Sequence, residues 1–149
     1  MIFRVLILLI ATLMGGLIIN QFHPNGIRWA LLSPDFSHTT NSVEFINLPD
    51  AFSLIIDGQA IAIDVRETDA FEIDHLPGAI SMPWQQFIRS PEIISQLDNE
   101  MTYIIYCFDP DCYEAKTFAG LLQKNGFRKT KVLYDGFSGW LEMGLPIEP

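Results

Sequence analysis

Basic residues are scarce in this chain: nine Lys and Arg stand against 18 Asp and Glu, for a net charge of −9. Arg4 and Arg28 both precede residue 35, so residues 35–149 set the remaining seven bases against all 18 acids, about −11. Phosphates need bases to neutralise them, which argues against a nucleic-acid partner. The same deficit argues against electrostatic recruitment to anionic lipid. Repeats and low-complexity tracts are absent. Charged residues make up only 18% of the chain and hydrophobic residues 49%, too apolar for disorder. Cysteine occurs twice, as Cys107 and Cys112. A length of 149 residues suits one ordinary domain and little more.

Mean hydropathy is positive, and the first twenty or so residues explain it. "MIFRVLILLIATLMGGLIIN" carries no charge from Val5 to Ile19. With its flanks the run reaches the ~20 residues that a bilayer span requires. A cleaved signal peptide is the alternative, but no small-x-small cleavage site follows Gly16. The segment is apolar on all sides, unlike an ordinary core helix. A transmembrane anchor over 1–22 is therefore expected. Residues 23–42 form a linker broken by Pro24, Gly26 and Pro34. A domain follows over 43–149. Arg4 precedes the span and Arg28 lies well beyond it, so the N-terminus is expected in the cytoplasm. In a bacterium this gives a single-pass inner-membrane protein with a periplasmic domain.

The domain alternates between strand and helix patterns. Strands are expected over 43–47, 60–65, 78–83, 102–106 and 131–134. Helical pieces are expected over 49–57, 67–73, 91–98 and 137–144. The best helix runs from Tyr113 to Asn125, with Ala115, Phe118, Ala119 and Leu122 on one face and Gly126 as its stop. Such alternation means an α/β sandwich with a mostly parallel sheet. Ligands in these sheets bind beyond the carboxyl ends of the strands. Asp64 and Cys107 both stand at such ends. A thiol leaving a strand and facing a helix N-terminus meets free backbone N–H groups, which favour an anion and lower the thiol pKa. Asp109 and Asp111 between the cysteines work against that anion.

Three stretches, in order, resemble the rhodanese family. "IAIDVRETDAFEIDHLPGAISMP" is similar to its strand ending in Asp-x-Arg, here Asp64 to Arg66, followed by a "GHIPGAINIP"-like run in which Asp74 replaces the usual Gly. "YCFDPDCYEAKTFAGLLQKNGF" resembles the strand, active-site loop and helix around the catalytic cysteine. "VLYDGFSGWLEMGLPIE" resembles the closing run, with Asp135, Gly136, Trp140, Gly144 and Pro146 in place. The resemblance spans about 43–149. It implies a three-layer sandwich with a mostly parallel five-stranded central sheet flanked by helices. It also implies sulfur transfer, with Cys107 taking sulfane sulfur as a persulfide and passing it to a nucleophile. Backbone amides of residues 108–112 would cradle the persulfide. A sulfane-sulfur donor and a thiol acceptor are the partners this chemistry needs, and no cofactor or metal is expected. Arg66 binds substrate or pairs with Asp64 or Glu72.

The departures from the family pattern are specific. Relatives that use thiosulfate often carry a base in the loop. Here the loop is Phe108, Asp109, Pro110 and Asp111, with no base before Lys116. Position 113 is Tyr where the related phosphatases need Arg. An anionic donor is thus poorly served, and phosphatase chemistry is not expected. Cys112 has three readings: a packed cysteine, a resolving thiol that closes a disulfide on Cys107, or half of a Cys-x4-Cys metal site that lacks a second pair. His75 is expected to be structural, and Trp84 and Trp140 to lie in the core or at its rim. The functions that follow are a sulfurtransferase, a thiol-disulfide redox module using Cys107 and Cys112, or a non-catalytic interaction domain. Retention of the catalytic position argues against the last.

Overall fold

The computed structural model describes residues 43–149. The anchor expected over 1–22 and the linker over 23–42 lie outside the described residues. Among those described, no helix is long and apolar enough to cross a membrane.

The sheet has five strands: β1 (Glu44–Ile46), β2 (Ala60–Asp64), β3 (Ile80–Ser81), β4 (Thr102–Tyr106) and β5 (Thr130–Leu133). Their order is β1-β5-β4-β2-β3, and all four pairings are parallel. β4 lies at the centre and is covered on both faces. That is why "TYIIY" reads as a continuous apolar run without alternation. Asp64 pairs with Tyr106 in register, so β2 and β4 end side by side. One end of the sheet thereby carries Asp64, Cys107 and the turn after β5.

Helices cover both faces. α1 (Leu48–Ile56) and α5 (Gly136–Glu142) pack on one side, where Ala51, Ile55, Phe137 and Trp140 meet Ala62, Ile104, Tyr106 and Leu133 of the sheet. α3 (Trp84–Arg89) and α4 (Tyr113–Lys124) pack on the other, where Phe87, Phe118, Ala119 and Leu122 meet Ile63, Tyr103, Ile105 and Val132. α2 (Thr68–Ile73) is short and buries none of its residues. α1 starts at Asn47, whose side chain accepts from the Asp50 N–H at 2.9 Å, with Pro49 in the first turn. The buried face of α4 is the one its spacing predicts: Ala115, Phe118, Ala119 and Leu122. Each large side chain so buried is worth roughly 1.5–3 kcal/mol.

Two elements differ from expectation. α3 was not visible as a periodic segment, because it is one turn and a half long and Ile88 points to solvent. Residues 91–96, expected as part of an α-helix, form a 3₁₀ turn. Ser90, at φ −138° and ψ 71°, separates it from α3, and the short connector that follows closes as a 3₁₀ turn, a common form for such connectors.

Candidate active site

Cys107 follows the last residue of β4, and Cys112 is the N-cap residue of α4. Cys107 is buried and Cys112 half-buried. The two are joined as a disulfide, with Cα atoms 6.4 Å apart. One short loop therefore carries both sulfurs, bonded to each other.

The loop is held by its main chain. The Cys107 carbonyl accepts from the Phe137 N–H at 2.8 Å, and the Phe108 carbonyl from the Ser138 N–H at 2.9 Å. The Asp111 N–H donates to the Tyr134 carbonyl at 3.1 Å. Gly136 makes this docking possible. Its φ is +63°, and a Cβ there would stand 2.7 Å from the carbonyl oxygens of both Phe108 and Asp109. Asp111 takes the left-handed conformation that the missing loop glycine would otherwise supply (φ 57°), which Asp tolerates better than most residues. Lys116 Nζ holds its carboxylate at 2.8 Å.

This anchoring corrects the expected cradle of amides 108–112. Pro110 has no N–H, and the Asp111 N–H is spent on Tyr134. Two amides of the loop are turned the other way by geometry. In a trans peptide the C=O and the next N–H point in opposite directions. The Cys107 and Phe108 carbonyls face α5, so the Phe108 and Asp109 N–H groups face away from it. At the other end of the loop, α4 has no side-chain cap, and its first helical bond runs from the Lys116 N–H to the Cys112 carbonyl. The amides of Tyr113, Glu114 and Ala115 therefore have no intrahelical partner.

Asp64 and Arg66 form a buried pair beside the loop. The Asp64 carboxylate is fully buried and accepts from Arg66 Nη2 at 2.8 Å, Nε at 2.9 Å and the Arg66 N–H at 2.9 Å. The guanidinium also reaches Asp74, at its carbonyl (2.5 Å) and carboxylate (3.5 Å), and lies 4.0 Å over the Phe137 ring. The second acidic partner is thus Asp74 rather than Glu72. Burial opposes the charge on Arg66, but the hydrogen bonds and field of Asp64 outweigh it and hold the guanidinium above its ordinary range. Burial, then the Asp64 carboxylate, pushes the Tyr106 hydroxyl far above the usual tyrosine range. Arg66 therefore ties together the end of β2, the end of α2 and α5.

A profile of the rhodanese-like domain matches residues 48–143, which include the Asp64–Arg66 pair, the cysteine loop and α5. The chain belongs to the rhodanese-like domain family. The Escherichia coli (strain K12) protein YibN is 26% identical over 118 residues, covering 79% of this chain and 81% of that one. The thiosulfate sulfurtransferase GlpE of Haemophilus influenzae is 27% identical over 89 residues, covering 60% of this chain and 80% of that one. Among solved structures, the BH2092 protein of Bacillus halodurans superposes with a TM-score of 0.64 at 28% identity, covering 70% of this chain and 76% of that one.

In this rhodanese-like domain a cleft of about 330 Å³ opens beside the disulfide. Glu67, Asp109 and Glu114 bring three carboxylates to its lining, and Arg66 the one base. Because Arg66 is committed to Asp64 and Asp74, the lining presents acid. A larger cleft, about 460 Å³, lies near the amino ends of β4 and β5 around Asp98 and Phe127. Its lining holds no cysteine, and no His, Lys or Arg beside Ser95, so the thiol chemistry points to the smaller one. Glu67 and Glu114 were not singled out from the sequence, though Glu114 stands two residues past Cys112 in the first turn of α4.

The remaining aromatic and imidazole groups are structural. His75 stacks on Phe71 with centroids 3.9 Å apart, and its Nδ1 lies 2.9 Å from the Phe71 carbonyl. Trp140 is fully buried and donates from Nε1 to the Pro146 carbonyl at 2.8 Å. Trp84 packs against Phe87 and also reaches the cleft. Among the described residues, no three His, Cys, Asp or Glu side chains converge as a metal site.

Proposed function

We propose that this rhodanese-like domain is a sulfurtransferase in which Cys107 carries sulfane sulfur. The observation that supports it most is the position of Cys107. It lies at the carboxyl end of the central strand, beside a cleft, with the Phe108 and Asp109 N–H groups turned away from α5. In the reduced protein the Cys107 thiolate attacks the outer sulfur of a donor R–S–SH. The new bond is Cys107 Sγ–S; the old S–S bond breaks, and RS⁻ departs with the electron pair. An acceptor thiolate then attacks the outer sulfur of the Cys107 persulfide, and the Cys107 thiolate is released. The likeness to a protein named thiosulfate sulfurtransferase supports the reaction class. The acidic lining favours neutral, cationic or protein-borne donors over thiosulfate.

The test is direct. The full-length chain is reduced, desalted, exposed to a sulfane-sulfur donor, alkylated and weighed. One added sulfur, absent in Cys107→Ser, is the expected result. Failure of the reduced wild type to gain sulfur from any of thiosulfate, polysulfide or a persulfide donor refutes the reading.

The disulfide favours a second reading, in which Cys107 and Cys112 cycle between dithiol and disulfide with a partner. Here Cys112 acts as the resolving thiol: it attacks the Cys107 sulfur of the persulfide, and hydrosulfide leaves. The apolar run over 1–22 and the bases around it support a membrane-anchored, periplasm-facing domain. Retention in the membrane pellet after alkaline carbonate washing is the expected result, and release into the wash would refute the anchor.

A further inference from the structure

The sulfurtransferase reading uses Cys107 and leaves Cys112 without a part in loading. In the oxidised form described here Cys107 has no thiolate, so it cannot attack a donor at all. A disulfide is instead an electrophile and an oxidant of two electrons. We infer that the Cys107–Cys112 disulfide takes up dihydrogen sulfide directly and stores it as the Cys107 persulfide. This inference rests on Cys107 being the sulfur carrier of the preceding section.

The reaction balances without any further oxidant. The sulfide sulfur attacks Cys107 Sγ, and a new S–S bond forms there. The Cys107 Sγ–Cys112 Sγ bond breaks, and its electron pair leaves on Cys112. One proton lost from the incoming sulfide ends on the Cys112 sulfur. Sulfide is oxidised to the sulfane level, and one half of the disulfide is reduced to a thiol. One disulfide takes up one sulfur.

Four features of the site favour this substrate and this direction. Cys107 is only 8% exposed, and a one-atom nucleophile needs the least room to reach it. Dihydrogen sulfide enters neutral, and the carboxylates of Glu67, Asp109 and Glu114 that repel a dianion do not repel it. The leaving sulfur belongs to the N-cap residue of the twelve-residue α4, whose first-turn amides have no intrahelical partner and favour negative charge at that end as the bond breaks. A better-stabilised thiolate leaves faster. Finally, a Glu114 carboxylate oxygen lies 3.3 Å from Cys112 Sγ. It is placed to pass the incoming sulfide's proton to the departing sulfur, so that the charge developing there ends as a neutral thiol. The product is the same Cys107 persulfide that a sulfane donor would load.

The experiment compares one full-length protein in two redox states under anaerobic conditions. The oxidised form receives sodium sulfide and no sulfane donor, is alkylated at intervals, and is read by intact and peptide mass. Sulfur is expected on the peptide bearing Cys107, with Cys112 alkylated directly, at a level at least about tenfold above the reduced protein treated alike. Conversion to a plain dithiol without added sulfur overturns the inference. So does equal loading of the reduced form by the same sulfide solution, which would trace the sulfur to contaminating polysulfide. A third arm gives a sulfane donor to the reduced form. If that arm loads and the sulfide arm does not, sulfur carriage stands and sulfide uptake falls. If the donor arm fails, the carrier reading itself falls.

Discussion

Replacing Gly136 by alanine should cost clearly more than the same change at Gly78, which shares its positive φ. Two effects combine. A residue with a Cβ at φ +63° incurs about 1–2 kcal/mol of backbone strain. The Cβ would also lie 2.7 Å from two backbone oxygens and 2.9 Å from the Asp109 carbonyl carbon, where nothing flexible can yield. Relief requires the loop to lift off α5, stretching the Ser138-to-Phe108 bond, at about 1–3 kcal/mol by analogy with overpacked cores. The expected total is about 2–5 kcal/mol, a large share of the ~5–15 kcal/mol that holds a typical domain. Gly78→Ala is the matched control: its φ is +64°, but a Cβ there meets nothing within 4 Å. That variant should lose only the strain, about 1–2 kcal/mol. Urea unfolding of both, with the disulfide intact, gives the difference. Gly136→Ala should also speed reduction of the disulfide by a dithiol, because the loop is displaced. Equal losses for the two variants, or unchanged reduction of Gly136→Ala, would refute the claim that Gly136 clamps the loop.

Three other perturbations follow from the site. Arg66→Ala strands the buried Asp64 carboxylate and should destabilise the domain by about 3–5 kcal/mol, while the double change Asp64→Asn with Arg66→Met should recover much of that in the same urea assay. Asp111→Asn keeps a residue that tolerates the left-handed turn but frees Lys116, so thiosulfate turnover should rise about two- to fivefold at low salt and the gain should fade at high salt. The Tyr106 hydroxyl is raised above the usual 10 by burial first, so the folded state holds a proton that the unfolded state gives up above that pH. Its contribution is therefore fully present below pH 10 and is lost as pH rises further, and the urea midpoint should fall between neutral pH and about pH 11, less steeply in Tyr106→Phe.

The sequence made the element order readable because each element of useful length carries its own period. The face of α4 and the buried run of β4 were legible residue by residue for that reason. The placement of Cys107 at a strand end followed from the same reading, whereas Arg66 stood out by the family resemblance, with its partner left open between Asp64 and Glu72. The rest depends on what the ends of different strands do to each other. No local pattern shows that the Asp111 N–H is taken by Tyr134, more than twenty residues on, or that Gly136 lies under the carbonyls of Phe108 and Asp109. Pro110 was visible in the sequence, and its missing N–H should have shortened the expected cradle at once. α3 escaped because only Phe87 of its six residues is buried and the apolar Ile88 beside it faces solvent, which leaves no helical face to read.

The grip on the cysteine loop is a main-chain grip. α5 and Tyr134 hold carbonyls and an amide of residues 107, 108 and 111, and the only side chain this docking requires is the absent one of Gly136. Phe108, half exposed, contributes no polar side-chain group to it, and neither does Asp109. Phe108 and Asp109 can therefore be rewritten without moving the sulfurs, while Asp111 keeps the left-handed turn. A library that randomises Phe108 and Asp109 while leaving Gly136 intact would vary what the cleft attracts and keep the reactive atoms where they are. The loop behaves as an interchangeable label on a fixed mount, and its present acidic spelling is one choice among many the mount would accept.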